Sequence, residues 1–450
     1  MRKFVGSLFL TLLVAGCGSS GDDFTNSGPV EPTACSINGQ KQFVLDALYD
    51  WYLWNDLLPA NIDIADYDSP ELLVHEVTTT FGPQDALGNP IDRFSSVRSL
   101  EADQQYYGEG KYEGFGFGWR EEGGEMRITS VYAGSPAGNA GIARGQTVIT
   151  LNGRTYAAIQ ASEGINAFFD ANDTVTFEMR LLDNSTIAPD VTKAIVTIDP
   201  LPASNVQIID LGPGVPPLGY FELRTFISTA DPLFDQVFEQ FINAGVTDVV
   251  IDLRYNGGGL VTTMELLGDY LGGFANDSLV FLNTEFNADR AAANNSTSYF
   301  SQLGNSIDIT RFIVIASRLT ASASEAVTNA LAPYADVWIV GGNTYGKPVG
   351  QVGIEFCDKL LRPTAFKTTN ADGFGDYFDG LPVDCPAADV LDIPVGAAND
   401  PNIIAAVSIS ETGGCPVAAA PEGLQAPRVQ PEIRYPDARG SAARELAGAY

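Results

Sequence analysis

Histidine is almost absent from this sequence: among 450 residues it occurs once, as His75. A Ser–His–Asp triad would need His75 as its base, and zinc sites usually draw on histidine or clustered cysteine. The residue stands in the apolar, helical-looking stretch VHEV, where a structural histidine is much more common than a catalytic one. The sequence therefore argues against histidine-based hydrolysis.

Basic residues are also scarce. The chain has 25 Lys and Arg against 56 Asp and Glu, which gives a net charge of −31 at pH 7. Such a surface repels nucleic acid phosphates and anionic lipids, so we exclude nucleic acid as a partner and interpret the charge as an aid to solubility. The 45% share of hydrophobic residues indicates a globular protein, and the length predicts two or three domains.

No hydrophobic run near the N-terminus is long enough for a mature membrane-spanning helix. Arg2 and Lys3 precede an apolar run over 4–15, which is typical of a signal peptide. The run ends in VAGC, which resembles the bacterial lipobox; the alternative is an ordinary secretory signal. The resemblance implies a lipoprotein signal peptide over 1–16, lipidation of Cys17 and a polar linker over 17–35. We expect an exported protein whose only membrane link is this anchor in the bacterial cell envelope, at the outer membrane facing the periplasm because Gly18 follows the cysteine.

Four further cysteines, Cys35, Cys357, Cys385 and Cys415, would then lie in an oxidising compartment. Four cysteines allow three pairings. We favour Cys357 with Cys385, because they flank one local segment, which leaves Cys35 with Cys415. No CxxC spacing is present, so we predict no metal site.

The hydrophobic pattern changes along the chain and predicts an α/β multi-domain protein. Apolar residues recur at a helical period after residue 36, short strands and glycine turns follow, and strands then alternate with helices. The continuous β-branched run at 249–251 predicts a buried strand of a largely parallel sheet. The predicted regions are a helical N-terminal domain over 36–110, a β-rich domain over 111–200, an α/β domain over 201–417 and a tail over 418–450.

The β-rich stretch carries three short motifs in order: GFGF at 114–117, SPA at 135–137 and LNG at 151–153. Together they resemble a PDZ domain; the alternative is an unrelated β-rich domain. The resemblance implies that backbone N–H groups of Phe115, Gly116 and Phe117 hold a peptide C-terminus, and that a sheet edge accepts the peptide as an added strand. Glycine suits position 116, because a close backbone approach leaves no room for a Cβ.

Three motifs in the α/β region carry candidate chemistry: DLRYNGGG at 252–259, TASASE at 320–325 and GKPVGQ at 346–351. A serine hydroxyl is a poor nucleophile and needs a base. In a chain nearly without histidine, a lysine can serve if burial among apolar groups lowers its pKa by several units. Lys347 fits, because it follows an apolar strand and has no acidic neighbour within several positions.

Ser322 precedes a predicted helix, and the unpaired N–H groups of a helix start can stabilise an oxyanion. The Ala323 N–H is one candidate donor, and the glycine run can bring Gly258 N–H close as a second. Taken singly, Ser322 and Ser324 are ordinary helix caps, Lys347 is an ordinary turn lysine and the glycine run is an ordinary loop.

In order and sequence the three motifs resemble peptidase family S41, the carboxy-terminal processing peptidases. The resemblance implies a ClpP/crotonase-like Ser–Lys peptidase domain, with Ser322 as nucleophile, Lys347 as general base 25 residues later and Gln351 orienting the lysine amine. The sequence departs from the family pattern at Pro333, Tyr345 and Pro348.

The predicted function is that of an exported serine endopeptidase that cleaves proteins whose C-terminal tails are held by the PDZ domain, without metal or nucleotide cofactor. The alternative is a catalytically inactive, lipid-anchored scaffold that binds peptides. Casein hydrolysis by the protein and by Ser322→Ala separates the two.

Overall fold

The computed structural model describes residues 35–416. The predicted signal peptide, the lipidation of Cys17, most of the linker and the tail over 418–450 lie outside these residues. No helix within 35–416 is both long and apolar enough to cross a membrane.

The helices and strands alternate in the way that the sequence pattern predicts. The helices are α1 (Ile37–Trp51), α2 (Pro70–Phe81), α3 (Leu100–Glu109), α4 (Pro136–Asn139), α5 (Tyr156–Ser162), α6 (Ile165–Ala171), α7 (Asp231–Ala244), α8 (Val261–Gly272), α9 (Ala291–Asn294), α10 (Ala323–Leu331) and α11 (Pro401–Thr412). The strands are β1 (Ser96–Ser99), β2 (Lys111–Gly114), β3 (Phe117–Glu122), β4 (Glu125–Val131), β5 (Thr147–Leu151), β6 (Thr174–Arg180), β7 (Thr186–Ile187), β8 (Asp190–Thr192), β9 (Ala194–Thr197), β10 (Val206–Ile209), β11 (Leu218–Glu222), β12 (Asp248–Asp252), β13 (Val280–Phe286), β14 (Ser296–Tyr299), β15 (Arg311–Ala316), β16 (Asp336–Gly341), β17 (Val349–Gln351), β18 (Ile354–Phe356), β19 (Lys359–Arg362), β20 (Thr364–Thr369) and β21 (Cys385–Pro386).

The α/β region is built on one six-stranded sheet in the order β10-β11-β12-β15-β16-β21. The pairs from β11 through β21 are parallel, and only β10 runs antiparallel to its neighbour. Strands β12 and β15 are buried on both faces, under α7, α8 and α10 on one side and α11 on the other. A mixed α/β fold with a largely parallel sheet is thus confirmed. The carboxyl ends of β12 and β15 lie side by side, so the loops that follow them meet.

The sequence predicts a helix that is capped by Asp231, with Pro232 in its first turn and Gly245 just past its end. In the structure, Ala230 is the N-cap of α7 and Asp231 is already its first helical residue, followed by Pro232. Proline is favoured in this first turn because the missing N–H has no partner inside the helix. Gly245 ends the helix in a left-handed conformation, as expected.

The β-rich region has a hydrophobic core of its own. Its main sheet has the order β3-β4-β5-β6-β7, and β8 also pairs with β6. Strand β3 therefore forms one edge of this sheet. Phe115, Phe117 and Trp119 point into the core, together with residues of α5 and α6.

The N-terminal helices share their core with a hairpin of the α/β region. Helices α1 and α2 pack on β18 and β19, and β1 pairs antiparallel with β19. Phe43 of α1 stacks on Phe356 of β18 with ring centroids 4.9 Å apart. This packing brings the loop between α2 and β1 next to the segment that carries Lys347.

The disulfide pairing that we favoured from the sequence is wrong. Cys35 pairs with Cys357, and Cys385 pairs with Cys415. Cys357 lies in the turn of the β18–β19 hairpin, which packs on α1, so its neighbour is the cysteine just before that helix. Cys385 starts the edge strand β21, and α11 returns the chain to it. Nearness in sequence was a poor guide, because tertiary packing decides which cysteines meet.

Arginines of the β-rich region hold it against the α/β region. Arg120 and Arg144 both donate to the Asp389 carboxylate, at 2.7 and 2.6 Å. Arg127 donates to Asp392 at 2.6 Å. Arg144 also donates to the hydroxyl of Tyr255 at 2.6 Å, inside the DLRYNGGG motif. These contacts connect the β-rich region directly to a loop of the candidate site.

Candidate active site

Ser322 occupies the sharp turn between β15 and α10. Its backbone has φ 56° and ψ −119°, a region that residues other than glycine rarely adopt. The Ser322 N–H donates to the Glu325 carboxylate at 2.9 Å, and the Ser322 carbonyl accepts from Ala326 N–H at 2.8 Å. Such strain persists only where neighbouring contacts hold it, and it is frequent at active sites.

Gly258 lies against Ser322, and no side chain would fit there. A Cβ at this glycine would lie 2.9 Å from the Ser322 Cβ and 3.1 Å from the Ala323 nitrogen, and its φ is 113°. The predicted pair of donors, Ala323 and Gly258, is therefore brought together. The Gly258 N–H, however, donates to the Asn256 side chain at 2.8 Å. Its predicted use as an oxyanion donor requires this bond to break.

The glycine loop is fixed from beneath by a buried ionic network. Arg254 is 2% exposed and donates to Asp252, Asp389 and Asp400. Burial acts to lower the pKa of the Arg254 guanidinium, but the surrounding carboxylates outweigh it and hold that pKa well above its usual value. Asp252 and Arg254 of the motif thus hold the loop in place.

Lys347 is buried in the segment between β16 and β17. Its side chain is almost wholly enclosed, and the amine donates to the Gln351 side-chain oxygen at 3.1 Å. Desolvation by burial lowers the pKa of Lys347 from 10.5 to about 7, and the positive charges of Arg98 and Arg362 act in the same direction. Asp92 and Glu325 oppose the shift without cancelling it. The amine can therefore be neutral near neutral pH, as a general base must be.

Gln351 is held in one orientation by two backbone carbonyls. Its amide nitrogen donates to the carbonyl of Phe94 at 2.7 Å and to that of Arg362 at 2.9 Å. Because the nitrogen is committed to these acceptors, the side-chain oxygen faces the Lys347 amine. The structure thus places the Gln351 oxygen against the Lys347 amine, and its role in orienting the lysine stays a prediction.

Glu325 connects the serine and lysine segments, and sequence analysis missed it. This fully buried carboxylate accepts from the backbone N–H groups of Ser322 and Lys347 through the same oxygen, at 2.9 and 2.8 Å. Its other oxygen accepts from Gly346 N–H and from the Thr344 hydroxyl. Burial raises the pKa of Glu325, while these donors act to lower it. The available signal was the S-x-x-E spacing of a capping box, but the contact with Lys347 is visible only in the fold.

The remaining predicted residues lie elsewhere. Phe115 and Gly116 lie just before the edge strand β3, which begins at Phe117, and His75 is half-buried within α2. Among residues 35–416, no group of three or more His, Cys, Asp or Glu side chains could hold a metal ion.

Comparison with known proteins supports this assignment of the site region. Residues 217–378 match the model of peptidase family S41, and residues 39–96 match that of the peptidase S41 N-terminal domain. Residues 217–378 form an S41 peptidase domain. The predicted resemblance to this family is thereby confirmed, and the range that matches the S41 model contains Ser322 and Lys347.

Two processing peptidases are similar to this chain in sequence. The chain is 29% identical over 288 residues to a chloroplastic C-terminal processing peptidase of Tetradesmus obliquus, an alignment that covers 60% of this chain and 59% of the relative. It is 24% identical over 267 residues to the carboxy-terminal processing protease CtpA of Bacillus subtilis, covering 58% and 53%. The chain thus spans between half and three-fifths of the length of these relatives.

A solved structure shows the same fold. The chain superposes on a Bacteroides fragilis protein described as an S41 protease with a TM-score of 0.63 at 20% identity, covering 82% of this chain and 97% of that one. This likeness extends the shared fold beyond the S41 domain to most of the described residues.

Proposed function

We propose that this chain is an exported serine endopeptidase that uses Ser322 as nucleophile and Lys347 as general base. The observation that carries the proposal is the environment of Lys347. Its amine is enclosed, bound by Gln351 and depressed in pKa to about 7, and its backbone N–H is joined through Glu325 to the strained turn that bears Ser322. A buried lysine without a functional role would be an unfavourable choice for a stable core.

The proposed reaction proceeds through an acyl-enzyme. The neutral Lys347 amine takes the hydroxyl proton of Ser322 while the Ser322 oxygen attacks the scissile carbonyl carbon. The negative oxygen of the tetrahedral intermediate is stabilised by Ala323 N–H and, once its bond to Asn256 is released, by Gly258 N–H. The protonated lysine then returns its proton to the departing amine. Water, deprotonated by the same lysine, hydrolyses the ester and restores Ser322.

The β-rich region is proposed to be a PDZ domain that holds the substrate's C-terminal tail. Three observations support this. Strand β3 is an edge strand of its sheet, so it can accept an added strand. At Gly116, where φ is 87°, a Cβ would lie 2.2 Å from the Ser135 Cβ, so this loop depends on glycine. The ammonium of Lys193 lies 5.8 Å from the centre of the Phe115 ring and adds positive charge beside the loop.

Localisation follows from the N-terminal segment and the cysteines. The lipobox-like segment predicts a lipid anchor at Cys17, and the disulfides Cys35–Cys357 and Cys385–Cys415 suit an oxidising compartment. We propose that the enzyme faces the periplasm from the outer membrane and meets protein substrates there.

Casein hydrolysis tests the nucleophile. We expect the purified protein to cleave casein and Ser322→Ala to lose all measurable cleavage, because no other group takes the covalent step. Ser324→Ala is the comparison variant and should retain measurable cleavage, since the Ser324 hydroxyl donates to the Asn256 carbonyl and supports the loop without taking the covalent step. Equal cleavage by wild type and Ser322→Ala would remove this serine from the mechanism, and no cleavage by wild type would favour the non-catalytic scaffold.

A matched pair of peptides tests tail recognition. One peptide ends in a free carboxylate after small apolar residues, and the other has the same sequence with an amidated C-terminus. We expect amidation to lower kcat/KM by about tenfold or more, because backbone N–H groups at 115–117 bind a carboxylate more strongly than a neutral amide. Equal kcat/KM values for the two peptides would contradict C-terminal recognition by this loop.

A further inference from the structure

A short loop of the N-terminal region reaches the pocket of Lys347. It joins α2 to β1, and its residues 92–95 lie against β17, β19 and β20 of the α/β region. Phe94 contributes both a carbonyl, which accepts from Gln351 at 2.7 Å, and a ring, whose centre lies 4.9 Å from the Lys347 amine nitrogen. The lysine pocket is therefore completed by residues more than 200 positions away in the sequence.

The position of Phe94 is set by a buried carboxylate two residues earlier. Asp92 is 0% exposed and accepts from the backbone N–H groups of Phe94 and Ser95 at 2.9 and 3.1 Å. It also accepts from the hydroxyls of Ser95 at 2.6 Å and Thr364 at 3.0 Å. Thr364 N–H in turn donates to the Ser95 hydroxyl at 2.9 Å, which locks the loop to β20.

We propose that Asp92 and Phe94 are positioning residues of the Ser–Lys site. Asp92 holds the loop so that the Phe94 carbonyl fixes Gln351, and the Phe94 ring closes the lysine pocket against water. This inference rests on the proposed function, since it assigns to the N-terminal region a part in preparing the general base. In the sequence, Asp92 shows no signal that separates it from an ordinary turn residue, whereas the segment FSS at 94–96 resembles a segment of the S41 family.

The charges around the amine set the direction of each expected effect. Arg98 and Arg362 disfavour the protonated amine, whereas Asp92 and Glu325 favour it. Arg93 faces outward over the rings of Phe94 and Tyr345, at 5.8 and 5.1 Å. Replacing Asp92 by Asn removes one favourable charge, so the pKa of Lys347 should fall by about one unit.

Replacing Phe94 should move the pKa of Lys347 in the opposite direction. Phe94→Ala removes the attraction between the ring face and an ammonium, which is worth about 1 kcal/mol, and admits water to a site where desolvation is the largest cause of the depressed pKa. Hydration outweighs the lost ring contact, because desolvation of a buried amine can shift its pKa by about 3 units or more. The pKa should therefore rise by about one unit or more.

The experiment is an NMR titration of the lysine side chains, which does not depend on catalysis. The chain has only seven lysines, so labelling the Cε carbons gives few signals, and Lys347→Met identifies the one of interest. We expect Lys347 to titrate near pH 7 in the wild type, lower in Asp92→Asn and higher in Phe94→Ala. The matched control is Asp85→Asn, whose carboxylate lies in the same loop but is solvent-exposed, and it should leave the titration unchanged.

The outcomes separate this inference from the proposed function. If Lys347 titrates near 10 in the wild type, the proposed general base fails. If Lys347 titrates near 7 and neither Asp92→Asn nor Phe94→Ala changes its pKa, Lys347 remains the proposed general base, but the positioning roles of Asp92 and Phe94 are wrong. A fall in the pKa of Lys347 for Phe94→Ala would also overturn the role of its ring. If Asp92→Asn does not fold, the titration of Lys347 in Phe94→Ala tests the proposal alone.

Discussion

Replacing Lys347 by Met is expected to abolish peptide hydrolysis and at the same time to stabilise the protein at and below neutral pH. Met has a similar volume and carries no charge, so the site loses its base while the pocket stays filled. The wild type must desolvate an amine whose pKa falls from 10.5 to about 7 on folding. A shift of this size corresponds to about 5 kcal/mol of stability that the wild type lacks below pH 7.

The pH dependence of this stability gain follows from the depressed pKa. Between pH 7 and 10.5 the unfolded lysine binds more proton than the folded one, so wild-type stability rises with pH across that window. The advantage of Lys347→Met is therefore full below pH 7 and disappears toward pH 10.5. Loss of the amine leaves the Gln351 oxygen without its hydrogen-bond donor. This costs the variant about 1–3 kcal/mol at every pH and offsets part of its gain in stability.

Thermal unfolding of wild type and Lys347→Met across pH 6 to 10 measures this prediction. We expect the variant to have the higher Tm at pH 6 and the difference to shrink as pH rises. Lys367→Met is the matched control, because this lysine is half exposed in an ion pair with Glu285 and should show no such trend. A Tm advantage of Lys347→Met that does not vary with pH would mean that the folded lysine keeps its ordinary pKa.

Replacing Glu325 by Gln is expected to lower kcat by about a hundredfold or more and to destabilise the fold. The carboxylate accepts four hydrogen bonds from Ser322, Thr344, Gly346 and Lys347. A glutamine presents an NH2 group where one oxygen stood, so one or two buried donors lose their acceptor. Each unsatisfied buried group costs about 1–3 kcal/mol. A small displacement of the serine turn from the lysine is enough to slow proton transfer sharply.

Steady-state kinetics and urea unfolding of Glu325→Gln measure the two effects. Glu239→Gln is the matched control, because Glu239 lies on the exposed face of α7. Its kcat and urea midpoint should equal those of the wild type. If Glu325→Gln keeps wild-type kcat, the link between the two segments has no part in catalysis.

The sequence predicted those features that depend on residues close together in the chain, such as strands, helix ends and short motifs. Buried strands such as 249–251, and the helix stop at Gly245, follow from β-branched runs and from glycine's access to left-handed backbone. Ser322 and Lys347 emerged because three motifs stand in a fixed order, although each is unremarkable alone. Because the chain has a single histidine, the sequence already argued against histidine as the general base.

The contacts that prepare the site were not accessible in this way. Glu325 reads as a helix-capping residue, and its bond to Lys347 N–H exists only once two segments 22 positions apart meet. Asp92 and Phe94 come from the N-terminal region, and nothing local indicates that they reach the lysine pocket. The cysteine pairing failed for the same reason, because the packing of the β18–β19 hairpin on α1 sets which thiols are adjacent.

The pH dependence of kcat/KM for cleavage of a peptide substrate tests the Ser–Lys mechanism most directly. If Lys347 is the general base in its depressed state, activity should rise with pH and reach half its maximum near pH 7, following the free enzyme's lysine. An acid limb that instead reaches half-maximum near pH 10 would contradict the mechanism, because the lysine would then be an ordinary, protonated side chain at neutral pH.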